Sequence, residues 1–175
     1  RATIGLPLSR QMAMFRNEPP SSRDIQNMAA FAIDRFHSYR DLEQPFAPAV
    51  EALRQCKARG LRVALVTSKS QVELDAYLQR FEATDALDAN VCASDVHQPK
   101  PSPESALLAC RLLGVEPSRS VMVGDSVFDV RCAHDAGVTA FAVGYGSTSA
   151  EALARENPDA LFTSPDELLA WASHP

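Results

Sequence analysis

Val121-Met122-Val123-Gly124-Asp125-Ser126-Val127-Phe128-Asp129 joins an apolar run to Gly-Asp and then to the start of a helical pattern. A buried strand that ends in Gly-Asp and passes at once into a helix sets a carboxylate at the carboxyl edge of a sheet. That edge is where open α/β proteins bind ligands. Asp129 adds a second carboxylate close by. Two neighbouring acids are hard to keep ionised without a cation, so the pair suggests a hard metal held by oxygen ligands.

The sequence on either side repeats the pattern. Leu61 to Val66 reads as a buried strand after a helix closed by Gly60, and Val91-Cys92-Ala93 as a weaker one. Ser120 to Val123 reads as a strong strand, and Thr139 to Val143 as a further one. Helices fall between them. Ser70 with Glu73 forms a capping box, Ser102-Pro103 opens a helix that Gly114 closes, and Ser126 to Ala136 ends at Gly137. Thr148 with Glu151, and Ser164-Pro165 with Glu167, cap two more. Alternating short strands and helices predict βαβ units and a parallel sheet.

Residues before Pro45 differ. Leu8 to Phe15, and then Ile25, Met28, Ala29, Ala32, Ile33 and Phe36, carry helical spacing without strands. Asn17-Glu18-Pro19-Pro20 separates these two helices, and Gln44-Pro45 ends the second. The expected organisation is a helical subdomain over 1–45 and an α/β core over 46–175.

The 175 residues fit one ordinary domain, and 46% apolar content supplies a core. The net charge of −5 is interspersed, which argues against nucleic acid or an anionic membrane as partner. No apolar run approaches membrane-spanning length, and no secretory start is visible. The cysteines Cys56, Cys92, Cys110 and Cys132 have neither Cys-x-x-Cys nor zinc spacing and read as small core residues in a reducing cytoplasm. The first residue is Arg1, not Met.

Four polar features follow directly on expected strands, which a parallel sheet brings to one edge. They are Thr67-Ser68, Lys100 between Pro99 and Pro101, the Asp125/Asp129 pair, and Gly144-x-Gly146. A hydroxyl, a fixed ammonium and a metal-binding acid pair together suit a phosphoryl group, whose oxygens they would bond and neutralise. Plainer readings stand beside each. Asp129 could be only the capping-box acid of its helix, Asp125 a turn residue, Thr67 a loop start, Lys100 solvated, and the glycines a turn. The scattered histidines His37, His97, His134 and His174 take no role. Arg10, Arg16, His37, Tyr39 and Arg40 lie in the helical part, where charges are commonly solvated, and none is assigned to a leaving group.

With these residues in place, the chain resembles the haloacid dehalogenase-like phosphohydrolases, specifically phosphoglycolate-phosphatase-like members with a helical cap. Val66-Thr67-Ser68 is similar to the family's second motif, Lys100-Pro101-x-Pro103 to the third, and Gly124-Asp125-Ser126-x-x-Asp129 to the fourth. Ala133-x-x-Ala136-Gly137 fits the stretch that follows, and Ile4 to Leu8 the entry to the cap. The resemblance implies a Rossmann-like parallel sheet flanked by helices, acting on a small phosphorylated metabolite with Mg²⁺. Thr67 and Ser68 would bind the phosphoryl group, and Lys100 would hold the nucleophile and the transferring phosphate. Asp125 would hold the metal, supported by Asp129. The acidic pair favours phosphate chemistry over dehalogenation, and Gly124 before Asp125 favours hydrolysis over isomerisation.

One departure is sharp. Family members carry Asp-x-Asp-x-Thr on their first core strand; its first Asp attacks phosphorus and its second is general acid/base. No Asp-x-Asp occurs in this sequence. The resemblance therefore implies a nucleophile outside these residues, and a central strand missing between the strands at Leu61 and Val121. The expected activity is phosphomonoester hydrolysis by the whole enzyme. The alternative is an inactive binding module. A receiver domain also combines Asp, Thr/Ser and Lys on a parallel sheet, but it places its acid pair early and its Lys late, the reverse of the order here.

Overall fold

A computed structural model describes residues 3–39 (the His37 side chain apart) and 44–174; Arg40 lies outside them. Two helices come first in the chain, α1 (Leu8–Arg16) and α2 (Arg23–His37), and they pack on each other. Asn17 ends α1 in the left-handed region at φ 54°. Ser22 caps α2 by accepting from the Ile25 N–H at 3.2 Å. The second helix stops at His37, before Gln44-Pro45. Its inner stripe, Ile25 and Ala29, is buried, whereas Phe15, Phe31 and Phe36 of the pair are exposed.

The α/β part follows in strict alternation. Its elements are α3 (Ala47–Ala58), β1 (Ala64–Val66), α4 (Gln71–Leu78), β2 (Ala89–Val91), α5 (Glu104–Leu113), β3 (Val121–Gly124), α6 (Val127–Ala136), β4 (Thr139–Val143), α7 (Ala150–Ala154), β5 (Ala160–Phe162) and α8 (Pro165–Ser173). All strand pairs are parallel, as the alternation predicts. The strands form two groups, β1–β2 and β3–β4–β5, and β1 and β3 do not pair with each other among the described residues.

Strand β4 shows why the second group holds. Successive side chains point to opposite faces. Ala140 and Ala142 join Val130, Ala133 and Ala136 of α6 and Ala106 and Cys110 of α5 in one apolar cluster. Phe141 turns the other way and meets Phe162 and Trp171 edge-on, with ring centroids 5.6 and 5.1 Å apart. Helix α5 also packs on β1 and β2, so α5 and α6 tie the two strand groups together. In β3, Met122 joins the α6 side. Val121 and Val123, on the opposite face, remain 42% and 41% exposed. The strand is thus covered on one face.

Several boundaries move. The strand expected over 61–66 narrows to β1, and that expected at 91–93 shifts to β2. Pro103 is the N-cap of α5 and not its first residue. Ser149 caps α7 in place of Thr148, accepting from the Ala152 N–H at 3.4 Å. Strand β5 has no counterpart in the sequence reading; its three residues are too few to show a period. The capping boxes at Ser70/Glu73 and Ser126/Asp129 are formed as expected.

Candidate functional site

The ends of β1 and β3 and the loop after β2 open into one cavity of about 590 Å³, lined by Thr67, Ser68, Lys100, Asp125 and Asp129. The polar residues that follow separate strands in sequence therefore share one wall. Among the described residues, no group of three or more His, Cys, Asp or Glu side chains comes together as a metal cluster.

Lys100 is the anchor of this wall. It is only 7% exposed, contrary to the ordinary solvated lysine. Its Nζ donates to Asp129 Oδ1 at 2.6 Å and to the Val66 carbonyl at 3.4 Å. The ammonium thus links the end of β1 to the start of α6, across the line where the two strand groups do not pair.

Asp129 does two jobs at once. Its Oδ2 accepts from the Ser126 N–H at 3.0 Å, and Ser126 Oγ accepts from the Phe128 N–H at 3.1 Å, so the helix cap is real. Its Oδ1 takes the Lys100 ammonium. With both oxygens engaged, Asp129 is a positioned counter-charge in this arrangement. Gly124 makes the fit possible, because a Cβ there would collide with the Asp129 side chain.

Asp125 is held differently. Its Oδ2 accepts from the Ser147 N–H at 2.7 Å, and Ser147 Oγ donates to the Asp125 carbonyl at 3.4 Å. Its Oδ1 takes part in no hydrogen bond among the described residues. Sequence reasoning misses Ser147, since its shorter contact is made by a backbone N–H that any residue but proline carries. The Gly144-x-Gly146 turn has a purpose beyond turning. A Cβ at Gly146 would run into Asp125, so the loop after β4 needs glycine to reach this carboxylate.

The hydroxyls divide. Thr67 Oγ1 accepts from the Lys69 N–H at 3.1 Å, the local loop interaction, and its own proton takes part in no hydrogen bond among the described residues. Ser68 Oγ donates to the Gly5 carbonyl at 2.6 Å, and Ser126 Oγ to the Ile4 carbonyl at 3.4 Å. The segment leading into α1 is thereby pinned over the sheet edge. Cys92 and Cys132 are fully buried, and burial pushes both thiols above the ordinary cysteine range.

A second cavity of about 400 Å³ adjoins the first, sharing Leu8, Ile33, Ser68 and Glu73 with it. It lies between the helical pair and the loops after β1 and β2, and Arg10 lines it. Tyr39 lines the first cavity, while Arg16 pairs with Glu18 at 3.3 Å on the surface.

The chain is similar to proteins already known. A 30% identical relative, aligned over 85% of this chain and 66% of its own length, is the N-acetylmuramic acid 6-phosphate phosphatase of Pseudomonas aeruginosa. The phosphoglycolate phosphatase of Salmonella choleraesuis is 32% identical over 71% of this chain and 49% of its own length. This chain thus spans only about half to two thirds of these relatives. Among solved structures, a hydrolase from Pseudomonas syringae superimposes with a TM-score of 0.85 at 17% identity, covering 97% of this chain and 78% of that one. At that identity the likeness speaks for the fold, an α/β architecture of parallel strands flanked by helices. The family model for haloacid dehalogenase-like hydrolases matches residues 1–143. The chain belongs to the haloacid dehalogenase-like hydrolase family.

Proposed function

We propose that this chain carries the phosphate-holding and metal-holding part of a phosphatase that hydrolyses a small phosphomonoester. The observation that carries this reading is the buried Lys100 beside Asp129 at the edge of a cavity that Thr67 and Asp125 share. A buried ammonium is costly unless it is paired, here with Asp129, and on the cavity wall it can also bond a phosphate's equatorial oxygens. Thr67 supplies a hydroxyl proton to one of those oxygens. Ser68 lines the same wall, with its proton given to Gly5. Residues 1–45 act as a helical cap over the core of residues 46–175.

The donor set suits Mg²⁺. Asp125 offers a hard carboxylate oxygen, Oδ1, that makes no hydrogen bond among the described residues, and Mg²⁺ binds through one or two carboxylates while keeping water. Asp125 would hold the ion, and Asp129 would support it from its place against Lys100. The bound ion would neutralise charge on the transferring phosphoryl group. The attacking carboxylate comes from outside these residues, since no Asp-x-Asp is present. It would form a bond to phosphorus as the ester P–O bond breaks and the leaving oxygen takes a proton. Water would then split the aspartyl phosphate.

The absent Asp-x-Asp also supports a second reading, a binding module that holds phosphate without turnover. Titration of the chain with inorganic phosphate, with and without Mg²⁺, tests the site itself. Binding that strengthens with Mg²⁺, is lost in Lys100→Ala and loses its Mg²⁺ dependence in Asp125→Asn is the expected result. Phosphate binding indifferent to both substitutions refutes the proposal. Turnover of phosphomonoesters by the complete reading frame separates the phosphatase from the binding module.

A further inference from the structure

Lys100 stands in the middle of a loop rich in proline. Pro99, Pro101 and Pro103 carry no backbone N–H, so His97, Gln98, Lys100 and Ser102 are the only main-chain donors between residues 97 and 103. Glu104, the first residue of α5, takes two of the four. Its Oε1 accepts from the His97 N–H at 3.0 Å and its Oε2 from the Gln98 N–H at 2.7 Å. The same two bonds hold the Glu104 carboxyl below the ordinary carboxylate range. The Ser102 N–H goes to the Pro99 carbonyl at 3.3 Å.

An acid in the first turn of a helix is commonly explained by the helix dipole alone. Glu104 does more, because it reaches back to the start of the loop and closes residues 97–104 into a ring with Lys100 at its middle. Helix α5 packs on β1, β2 and α6, which gives the ring a fixed base. Pro99 and Pro101 have φ set by their own side-chain rings, so little play remains on either side of Lys100. Closing the ring at its ends therefore aims the residue at its centre, whose ammonium meets Asp129 at 2.6 Å. Glu104 itself lines neither cavity. We infer that Glu104 is the positioning residue for Lys100, acting through the backbone of residues 97 and 98 with no contact to the ligand. Without it, the loop opens on its solvent side and the ammonium spends part of its time away from the cavity wall. The effect on phosphate rests on the phosphoryl-site reading above, whereas the placement of Lys100 stands on the geometry alone.

Amine labelling of the intact chain with acetic anhydride, read peptide by peptide by mass spectrometry, reports the exposure of Lys100 directly. Lys57 and Lys69, the other lysines of the chain, serve as internal references. Glu167→Ala is the matched control: this acid braces the start of α8 by accepting from the Thr163 N–H at 2.6 Å, and it lines neither cavity. Glu104→Ala should raise Lys100 labelling at least about 10-fold over wild type. Glu104→Gln keeps one acceptor and should raise it less, and Glu167→Ala should leave it unchanged. In Mg²⁺, Glu104→Ala should also weaken inorganic phosphate binding by roughly 3- to 10-fold. Lys100 labelling that rises no further in Glu104→Ala than in Glu167→Ala, or phosphate affinity that Glu104→Ala leaves unchanged, overturns the inference. If Glu104→Ala does not fold, Glu104→Gln takes its place in both measurements. Failure of the wild-type chain to bind phosphate overturns the phosphoryl-site reading, and Lys100 labelling then decides the role of Glu104 by itself.

Discussion

Replacing Lys100 by methionine strands the Asp129 carboxylate in the interior. The ammonium and carboxylate side chains are 9% and 8% exposed, with Nζ 2.6 Å from Oδ1. At an effective dielectric constant of about 20, that separation corresponds to roughly 6 kcal/mol of attraction, most of it offset by the cost of desolvating both ions. Removing one partner keeps the desolvation and loses the attraction, a change of about 3–5 kcal/mol. Asp129→Asn should cost a comparable amount, since it removes the counter-charge and leaves the ammonium, among the described residues, with the long 3.4 Å contact to the Val66 carbonyl. The double variant Lys100→Met/Asp129→Asn leaves no buried charge, and the new side-chain amide oxygen can still accept from the Ser126 N–H. It should be more stable than the sum of the two singles by about 2–3 kcal/mol. Urea unfolding followed by the fluorescence of Trp171, the sole tryptophan, measures all four proteins. With a denaturant slope of about 2 kcal/mol per molar, each single should lower the midpoint by about 1.5–2.5 M. Additive singles, or midpoints that move by less than about 0.5 M, would refute the buried-pair account.

Two further outcomes follow from the geometry. Gly124→Ala places a methyl group against the Asp129 side chain; it should lower stability by about 1–3 kcal/mol and weaken phosphate binding, measured by the same unfolding and titration experiments. Asp88 is held down to about 2 by the hydrogen bond from the Lys57 ammonium, with help from the Val63 N–H. Its folded value lies below the unfolded value of about 3.9, so its contribution is complete above about pH 4 and is lost as pH falls toward 2. Melting curves of wild type and Asp88→Asn should therefore converge over that window and remain apart at pH 7. A gap that stays constant from pH 7 to 2 would rule this out.

The alternation of strands and helices is legible in the sequence because it rests on local rules. β-branched runs, capping boxes at Ser70 and Ser126, and left-handed glycines at Gly60, Gly114 and Gly137 each work within a few residues. The motif residues are legible for the same reason, since each follows a strand. Tertiary structure alone shows what each of these residues touches. Asp129 is both the helix cap and the partner of Lys100, because a carboxylate has two oxygens and the fold brings a different donor to each. Lys100 is buried because the loop after β2 folds back against β1 and α6, contacts between residues 34 and 29 positions apart. Ser147 and Gly146 reach Asp125 through backbone proximity, which leaves no side-chain signature. Local chemistry, then, names the elements and the candidate groups. Their partners, burial and roles depend on distances between segments far apart in the chain, which only the packed fold defines.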